Sequence, residues 1–322
     1  MTLSITRAAI EGFDSIHVNT GVVELNLIPE LGGKVNSLRD VRTGREWLWR
    51  HPRFAYKRVP HGNSYVANAD TGGWDECFPS VAECAYPSAP WHGAAIQDHG
   101  ELWSHPAEFE LDEQEGSVTL RTRSQGIILP YTFTRSITLA ANSALIRVNY
   151  EVVSNSDQPI NYVWCIHPLL AIEPGMELRL PASACFNIDS AYPEGLISFD
   201  KKIQYPFDVS GLNFPFLPET NAARAIKLWS DPLPANEGWA SLLANNGEFQ
   251  MRWDVNLLPQ VAVWMNLGAL GMDGGSPYFN MGLEPCIGAQ DSLADAVNKY
   301  NLFATVPPRG NKSWWLEIEI TA

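Results

Sequence analysis

The strongest constraint on this chain is a two-residue rhythm that returns in segment after segment, with turn residues between. Ser117-Val118-Thr119-Leu120-Arg121-Thr122 alternates polar and apolar side chains, as do the runs from Thr132 to Leu139, from Leu145 to Val152 and from Trp315 to Ile320. A period of two sends successive side chains to opposite faces of an extended strand, so each run reads as one face in a core and one in water. Helical signals are confined to two short stretches, Asp291 to Val297 and Thr220 to Ala225. Asn142-Ser143, between two alternating runs, reads as a hairpin turn. The 24 Gly and 23 Pro are scattered along the chain and not gathered into a linker. Many short strands with frequent turns give an all-β fold, a sandwich or a barrel. With no linker, repeat or charge block, residues 1–322 are expected to form one large domain. Arg50 to Ala89 and Asp200 to Asn236 show little alternation and read as long loops, the kind of segment that carries function in a compact domain.

Composition narrows the function classes. Hydrophobic residues are 45% and charged residues 18%, enough apolar material for a large core. The formal net charge of −14 repels phosphate backbones, which argues against nucleic acid and anionic membrane surfaces as partners. The five cysteines, Cys77, Cys84, Cys165, Cys185 and Cys286, form no C-x-x-C and mostly sit beside apolar residues. Buried reduced thiols fit that pattern, and with no signal peptide at the N-terminus and no apolar stretch near membrane-spanning length, the expectation is a cytoplasmic protein.

Four segments could carry chemistry. In Gly72-Gly73-Trp74-Asp75-Glu76-Cys77-Phe78-Pro79, the glycines allow a close backbone approach to a ligand, Trp74 could stack on a sugar face and Asp75 could accept from its hydroxyls; the alternative is a turn with a buried aromatic and exposed acids. Gln97-Asp98-His99-Gly100-Glu101-Leu102-Trp103 offers His99, with Glu101 and Trp103 as further sugar-binding candidates; a histidine beside glycine is as readily structural. In Val163-Trp164-Cys165-Ile166-His167-Pro168, His167 interrupts an apolar stretch, either as a satisfied core imidazole or as a tuned proton donor. In Met281-Gly282-Leu283-Glu284-Pro285, burial would raise the proton affinity of Glu284 as suits a general base, and the alternative is an edge salt bridge. No metal-ligand spacing, nucleophile motif or phosphate loop occurs. The twelve Trp fit a sugar binder or a large β core equally.

The order of these segments is more informative than any one of them. Gly-Gly-x-x-x-Cys-Phe-Pro at 72–79, His-Gly at 99–100, His-Pro at 167–168 and Leu-Glu-Pro at 283–285, with Leu31-Gly32-Gly33-Lys34 and Gly44-Arg45-Glu46-Trp47 before them, resemble the aldose 1-epimerase, or galactose mutarotase-like, superfamily over roughly the whole chain. The resemblance implies a β-supersandwich, no cofactor and no metal, with Glu284 as general base, His167 as general acid and His99 bonding near the ring oxygen. The middle of the chain is most similar to the hexose-phosphate mutarotase branch, but Thr71 stands where that branch has an arginine, and Asp75 and Glu76 add negative charge. An uncharged sugar is therefore the expected partner. The paired arginine of the early loop is also missing, and Lys34, Arg53, Lys57 and Arg58 are the candidates to replace it. Two other functions remain open: a noncatalytic carbohydrate-binding protein, or a lyase or hydrolase in the same cleft with Asp75 and Glu284 as paired acids. Monomer and homodimer are equally consistent with the sequence.

Overall fold

The computed structural model describes residues 3–195, 197, 202–209, 212–218, 222–271, 275, 277–288 and 291–322. Two large antiparallel sheets carry the fold. The smaller has eight strands, in the order Glu177–Arg179, Trp239–Ala244, Gly247–Trp253, Asn311–Thr321, Leu145–Ser154, Tyr131–Ala140, Ser117–Gln125 and Glu108–Gln114. All four alternating runs of the sequence fall here, on strands that are alternately buried and open. The expected hairpin joins two of them, pairing Leu139 with Ile146, and Asn142 takes the positive φ of 57° that the turn needs.

The larger sheet has eleven strands, in the order Ser4–Ile10, Phe13–Asn19, Val23–Ile28, Lys34–Asp40, Trp74–Cys77, Trp164–Ala171, Phe279–Ile287, Gln260–Leu267, Arg224–Ser230, Cys185–Tyr192 and Ile203–Gln204. Its inner face packs on the smaller sheet through large aromatics, with Tyr150 and Trp164 at 4.8 Å between ring centroids and Phe78 and Tyr131 at 4.6 Å. Trp47, Trp74 and Trp164 are all fully buried in this sandwich. Burying side chains of this size stabilises by roughly 1.5–3 kcal/mol each. Most of the tryptophan content thus serves the core.

The middle strands of the larger sheet are buried on both faces: every residue of Trp164–Ala171 but the last, and every residue of Phe279–Ile287 but the first. A strand covered on both sides has no reason to alternate. For that reason Arg50 to Ala89, expected as a loop, contains the central strand Trp74–Cys77 and a one-turn helix, Tyr65–Asn68. The expected helix at Thr220 to Ala225 is also corrected. Thr220 lies outside the described residues, while Arg224 and Ala225 open a strand clamped between Cys185–Tyr192 and Gln260–Leu267. Cross-strand pairing on both sides overrides the local helix preference of an alanine-rich segment. The other expected helix is present, as a turn at Leu293–Asp295 running into a π-turn at Ala296–Tyr300.

Among the described residues the five cysteines are free thiols, with Cys77, Cys165 and Cys286 buried. No described helix is long and apolar enough to cross a membrane.

Candidate active site

The outer face of the larger sheet carries the site, and strand register explains how. His167 pairs with Asp75 across one edge of its strand. Across the other edge, Cys165 pairs with Cys286 and Leu169 with Gly282, which sets Glu284 opposite His167. Asp75, His167 and Glu284, far apart in sequence, therefore form one row across three central strands, with their side chains on the same face. Their chain neighbours Trp74, Glu76, Ile166 and Leu283 point the other way, into the sandwich.

A pocket of about 440 Å³ opens over His167, with Asp75 and Glu284 of the row lying beneath its lining. Tyr65, Leu169, Trp264 and Tyr278 supply its apolar walls, and His99, His167, Lys227 and Asp291 its polar groups. The volume falls in the roughly 300–1,000 Å³ range of small-molecule sites, and the mix of aromatic walls and a few polar groups is the usual one.

His99 reaches the pocket from a turn in which it and Gly100 both have positive φ, 60° and 73°. A side chain at position 100 is excluded, because its Cβ would lie 2.2 Å from the Phe78 carbonyl oxygen. The close approach of the turn to Phe78 thus fixes His99 over the sheet in a backbone conformation rare for histidine, a kind of strain that clusters at functional sites. Asp98 Oδ1 lies 2.6 Å from His99 Nδ1, and its other oxygen accepts from Ser64 at 2.7 Å and from the Val66 amide at 3.2 Å. Although burial opposes it, this bonding holds the Asp98 carboxyl down at about 2. The His99 ring stacks on Tyr65 at 4.2 Å and meets His167 edge to face at 4.9 Å.

His167 is buried, and burial, followed by the nearby His99, Lys227 and Lys34, pushes its pKa well below the usual histidine value. It is a neutral imidazole, able to donate one hydrogen bond but not to act as an imidazolium. Its Nε2 lies 3.8 Å from Glu284 Oε1. Glu284 is fully buried; Oε2 is ion-paired with Lys227, while Oε1 has no hydrogen-bond donor among the described residues. Gly282 makes room for it, since a Cβ there would lie 2.3 Å from that oxygen. Burial raises the Glu284 pKa and Lys227 pulls against the rise. Lys227 Nζ also lies 3.6 Å from Asp291 Oδ1, and the two carboxylates hold its pKa well above the ordinary lysine value despite burial.

The remaining expected residues divide into two groups. Asp75 and Lys34 lie behind the pocket wall as a buried ion pair at 2.5 Å, and Asp75 also accepts from Tyr65 Oη at 2.7 Å. Asp75 is thus committed to holding Tyr65, which supports His99. Of the four cations proposed for the early loop, Lys34 is the partner of Asp75, and Arg58 is an exposed partner of Glu30. Trp103 packs edge-on against Tyr65 at 5.1 Å and donates to the Asp98 carbonyl at 2.9 Å, again behind the pocket.

Trp74 and Glu101 are corrections. Trp74 is fully buried on the inner face, donating to Glu76 at 2.9 Å under Arg135. Strand alternation alone puts it opposite to Asp75. Glu101 is fully buried and accepts from the amides of Ile127 and Ile128 at 3.0 and 2.9 Å and from Tyr131 at 2.9 Å, so it ties the His99 turn to a loop of the smaller sheet. Neither can reach a sugar.

Sequence reasoning missed Tyr65, Asp98, Lys227, Trp264, Tyr278 and Asp291. Lys227 had a signal, a lone cation inside the apolar strand Ala225-Ile226-Lys227-Leu228-Trp229. Trp264, on the doubly covered strand Gln260–Leu267, had none, nor did the rest, whose roles depend on segments folding over the sheet.

No family model matches the chain, and no curated protein matches it by sequence. Solved structures do. A galactose mutarotase-like protein from Clostridium acetobutylicum aligns over 99% of this chain and 98% of its own, with a TM-score of 0.71 and 13% identity. A galactose mutarotase-like protein from Lactobacillus casei aligns over 95% and 99%, with a TM-score of 0.61 and 15% identity. The galactose 1-epimerase of Lactobacillus acidophilus aligns over 99% and 98%, with a TM-score of 0.59 and 10% identity. The chain has the galactose mutarotase-like fold along nearly its whole length.

Proposed function

We propose that the chain is an aldose 1-epimerase-like mutarotase that interconverts the anomers of a free, uncharged aldose. The observation that carries this reading is the convergence of His99 and His167 on one pocket, with Glu284 3.8 Å from His167 on the same face of the sheet. Mutarotation needs a base to take the anomeric hydroxyl proton and a donor to protonate the ring oxygen as its bond to C1 breaks. Rotation about C1–C2 then lets the ring close on the other face. Glu284 is the base in this reading, acting through Oε1, which lies 3.8 Å from His167 Nε2 just beneath the pocket lining. His167, a neutral imidazole, donates a hydrogen bond to the ring oxygen as its bond to C1 breaks, the proton that Glu284 has taken from the anomeric hydroxyl returns to that oxygen, and the Asp98-held His99 orients it from the other side. Lys227 steadies Glu284 and leaves Oε1 as the reactive oxygen. Both lysines at the site are already neutralised, Lys34 by Asp75 and Lys227 by Glu284 and Asp291, which favours a neutral sugar over a phosphorylated one.

A noncatalytic sugar-binding protein is the second reading, favoured by the complete burial of Glu284. A paired-carboxylate hydrolase is disfavoured, because Asp75 is held by Lys34 and Tyr65. Anomer exchange measured by NMR over a panel of aldoses, with wild type beside Glu284→Gln, separates the first two. Exchange accelerated by wild type and reduced about 10²–10⁴-fold in the variant supports the mutarotase. Sugar binding without accelerated exchange in either protein sinks it and leaves the binding protein.

A further inference from the structure

One thiol meets two imidazoles where the two pocket histidines, His99 and His167, back onto the buried Cys77. The ligand atoms of Cys77, His99 and His167 all lie within 4.8 Å of one another. They come from three separate segments, so no spacing in the sequence could signal them. Cys77 sits on the strand Trp74–Cys77, two residues beyond Asp75 and on the same outer face, and Cys165 on the neighbouring strand is its cross-strand partner.

We propose that Cys77, His99 and His167 form a site for a thiophilic divalent cation, Zn²⁺, facing the pocket. Three features of the surroundings support it. Asp98 already holds Nδ1 of His99, which leaves Nε2 for an ion; a carboxylate behind a ligating histidine is the usual outer support of a zinc site. Among the described residues His167 Nδ1 is buried with no hydrogen-bond partner, an arrangement that costs about 1–3 kcal/mol unless something takes that nitrogen. The ligand set is soft, one sulfur and two nitrogens, which selects zinc over magnesium or calcium. Tetrahedral zinc bonds of roughly 2.0–2.3 Å require the ligand atoms to draw together by up to about 1.5 Å, within the range of side-chain torsions. Because both histidines line the pocket, the fourth position of such an ion would be filled from that side, by water or a hydroxyl. Binding exchanges the thiol proton of Cys77 for the metal, so one proton is released per ion and binding strengthens as pH rises.

The ion would occupy the same histidines that the mutarotase uses, so Zn²⁺ should inhibit anomer exchange. That consequence rests on the proposed function, whereas the binding itself does not.

The test titrates the chelator-treated protein with Co²⁺ and then Zn²⁺. The expected result is one Co²⁺ per chain with a thiolate-to-cobalt charge-transfer band in the near ultraviolet and tetrahedral bands in the visible, all displaced by Zn²⁺. Cys77→Ala should lose the charge-transfer band and bind at least tenfold more weakly, with its anomer exchange retained and no longer sensitive to zinc. His99→Gln, an independent variant should Cys77→Ala not fold, should weaken binding to the same degree. Stoichiometric binding without the charge-transfer band, affinity unchanged in both variants, or no binding to the wild type overturns the site. Binding as expected in a protein that exchanges no anomers leaves the metal site standing and overturns the mutarotase alone.

Discussion

At the scale of single residues, the site is built from charges placed where they cannot be solvated. Lys227 and Glu284 are 6% and 0% exposed and face each other. Lys227→Met would keep the shape and leave a buried carboxylate with no counter-charge, which costs about 3–5 kcal/mol when one partner of a buried pair is removed. Urea unfolding of the variant should show that loss, and a change under 1 kcal/mol would mean that the pair is solvated in practice. Asp189 sits at a bulge in the strand Cys185–Tyr192, the kind of irregularity that re-aims side chains beside a site. Burial, followed by the charge of Asp291, pushes its carboxyl from 3.8 up to about 6. The folded state therefore holds a proton that the unfolded state has lost, and its contribution is present in full below about pH 4 and lost as pH rises through about 6. Asp189→Asn should remove a decline on the order of 3 kcal/mol across that window, measured by denaturant unfolding at stepped pH. A variant with the same pH slope as wild type would show that Asp189 titrates normally.

Strands set which of these residues meet. Glu76, one step along the backbone from Asp75, turns inward and accepts from the indoles of Trp74 and Trp164, from Tyr150 and from Arg135, at 2.9 to 3.1 Å. Burial raises its pKa to about 7 against the pull of Arg135. This cluster locks the central strands of the larger sheet onto the smaller one and so fixes the floor under His167. Glu76→Leu should cost about 3–5 kcal/mol by stranding Arg135, while Glu76→Leu with Arg135→Met should recover much of it, since replacing both charges of a buried pair by apolar groups is often neutral. If the double variant is as unstable as the single, the indole and phenol donors carry the cluster and not the ion pair. The same inward and outward alternation explains what could be read from the sequence. Strands with one wet face announced themselves, and they belong to the smaller sheet. The site strands are dry on both sides, so Trp74–Cys77 read as loop and Arg224–Ser230 was taken in part for helix. His167 and Glu284 were legible as polar residues inside apolar runs and through the family resemblance, whereas Trp74 and Glu101 were misassigned because a motif's residues do not all face one way.

Across the whole molecule, the larger sheet grades from a wet edge to a dry centre, and the pocket sits over the centre. Ser4–Ile10, at one edge, pairs on one side only and has five of its seven residues exposed, while Trp164–Ala171 and Phe279–Ile287 are paired on both sides and almost wholly buried. One continuous apolar core spans both sheets, so the centre has no way to open without separating them. The groups proposed for catalysis on the floor, His167 and Glu284, are anchored in that centre, and those above it, His99 and Tyr65, hang from loops tied down by Asp75, Asp98 and Glu101. Such a division fits a reaction that needs a fixed base and donor beneath a sugar that must turn, with adaptable walls to admit it. Native-state hydrogen exchange should resolve the gradient directly. Amides of the Trp164–Ala171 and Phe279–Ile287 strands should exchange only through global unfolding, with a denaturant dependence equal to that of the whole protein. Amides of Ser4–Ile10 should exchange through local opening with almost none, and those of the Tyr65–Asn68 turn should fall between. Low protection at His167 or Glu284 would mean that the floor opens on its own, and the rigid placement of acid and base on which the proposed chemistry depends would have to be abandoned.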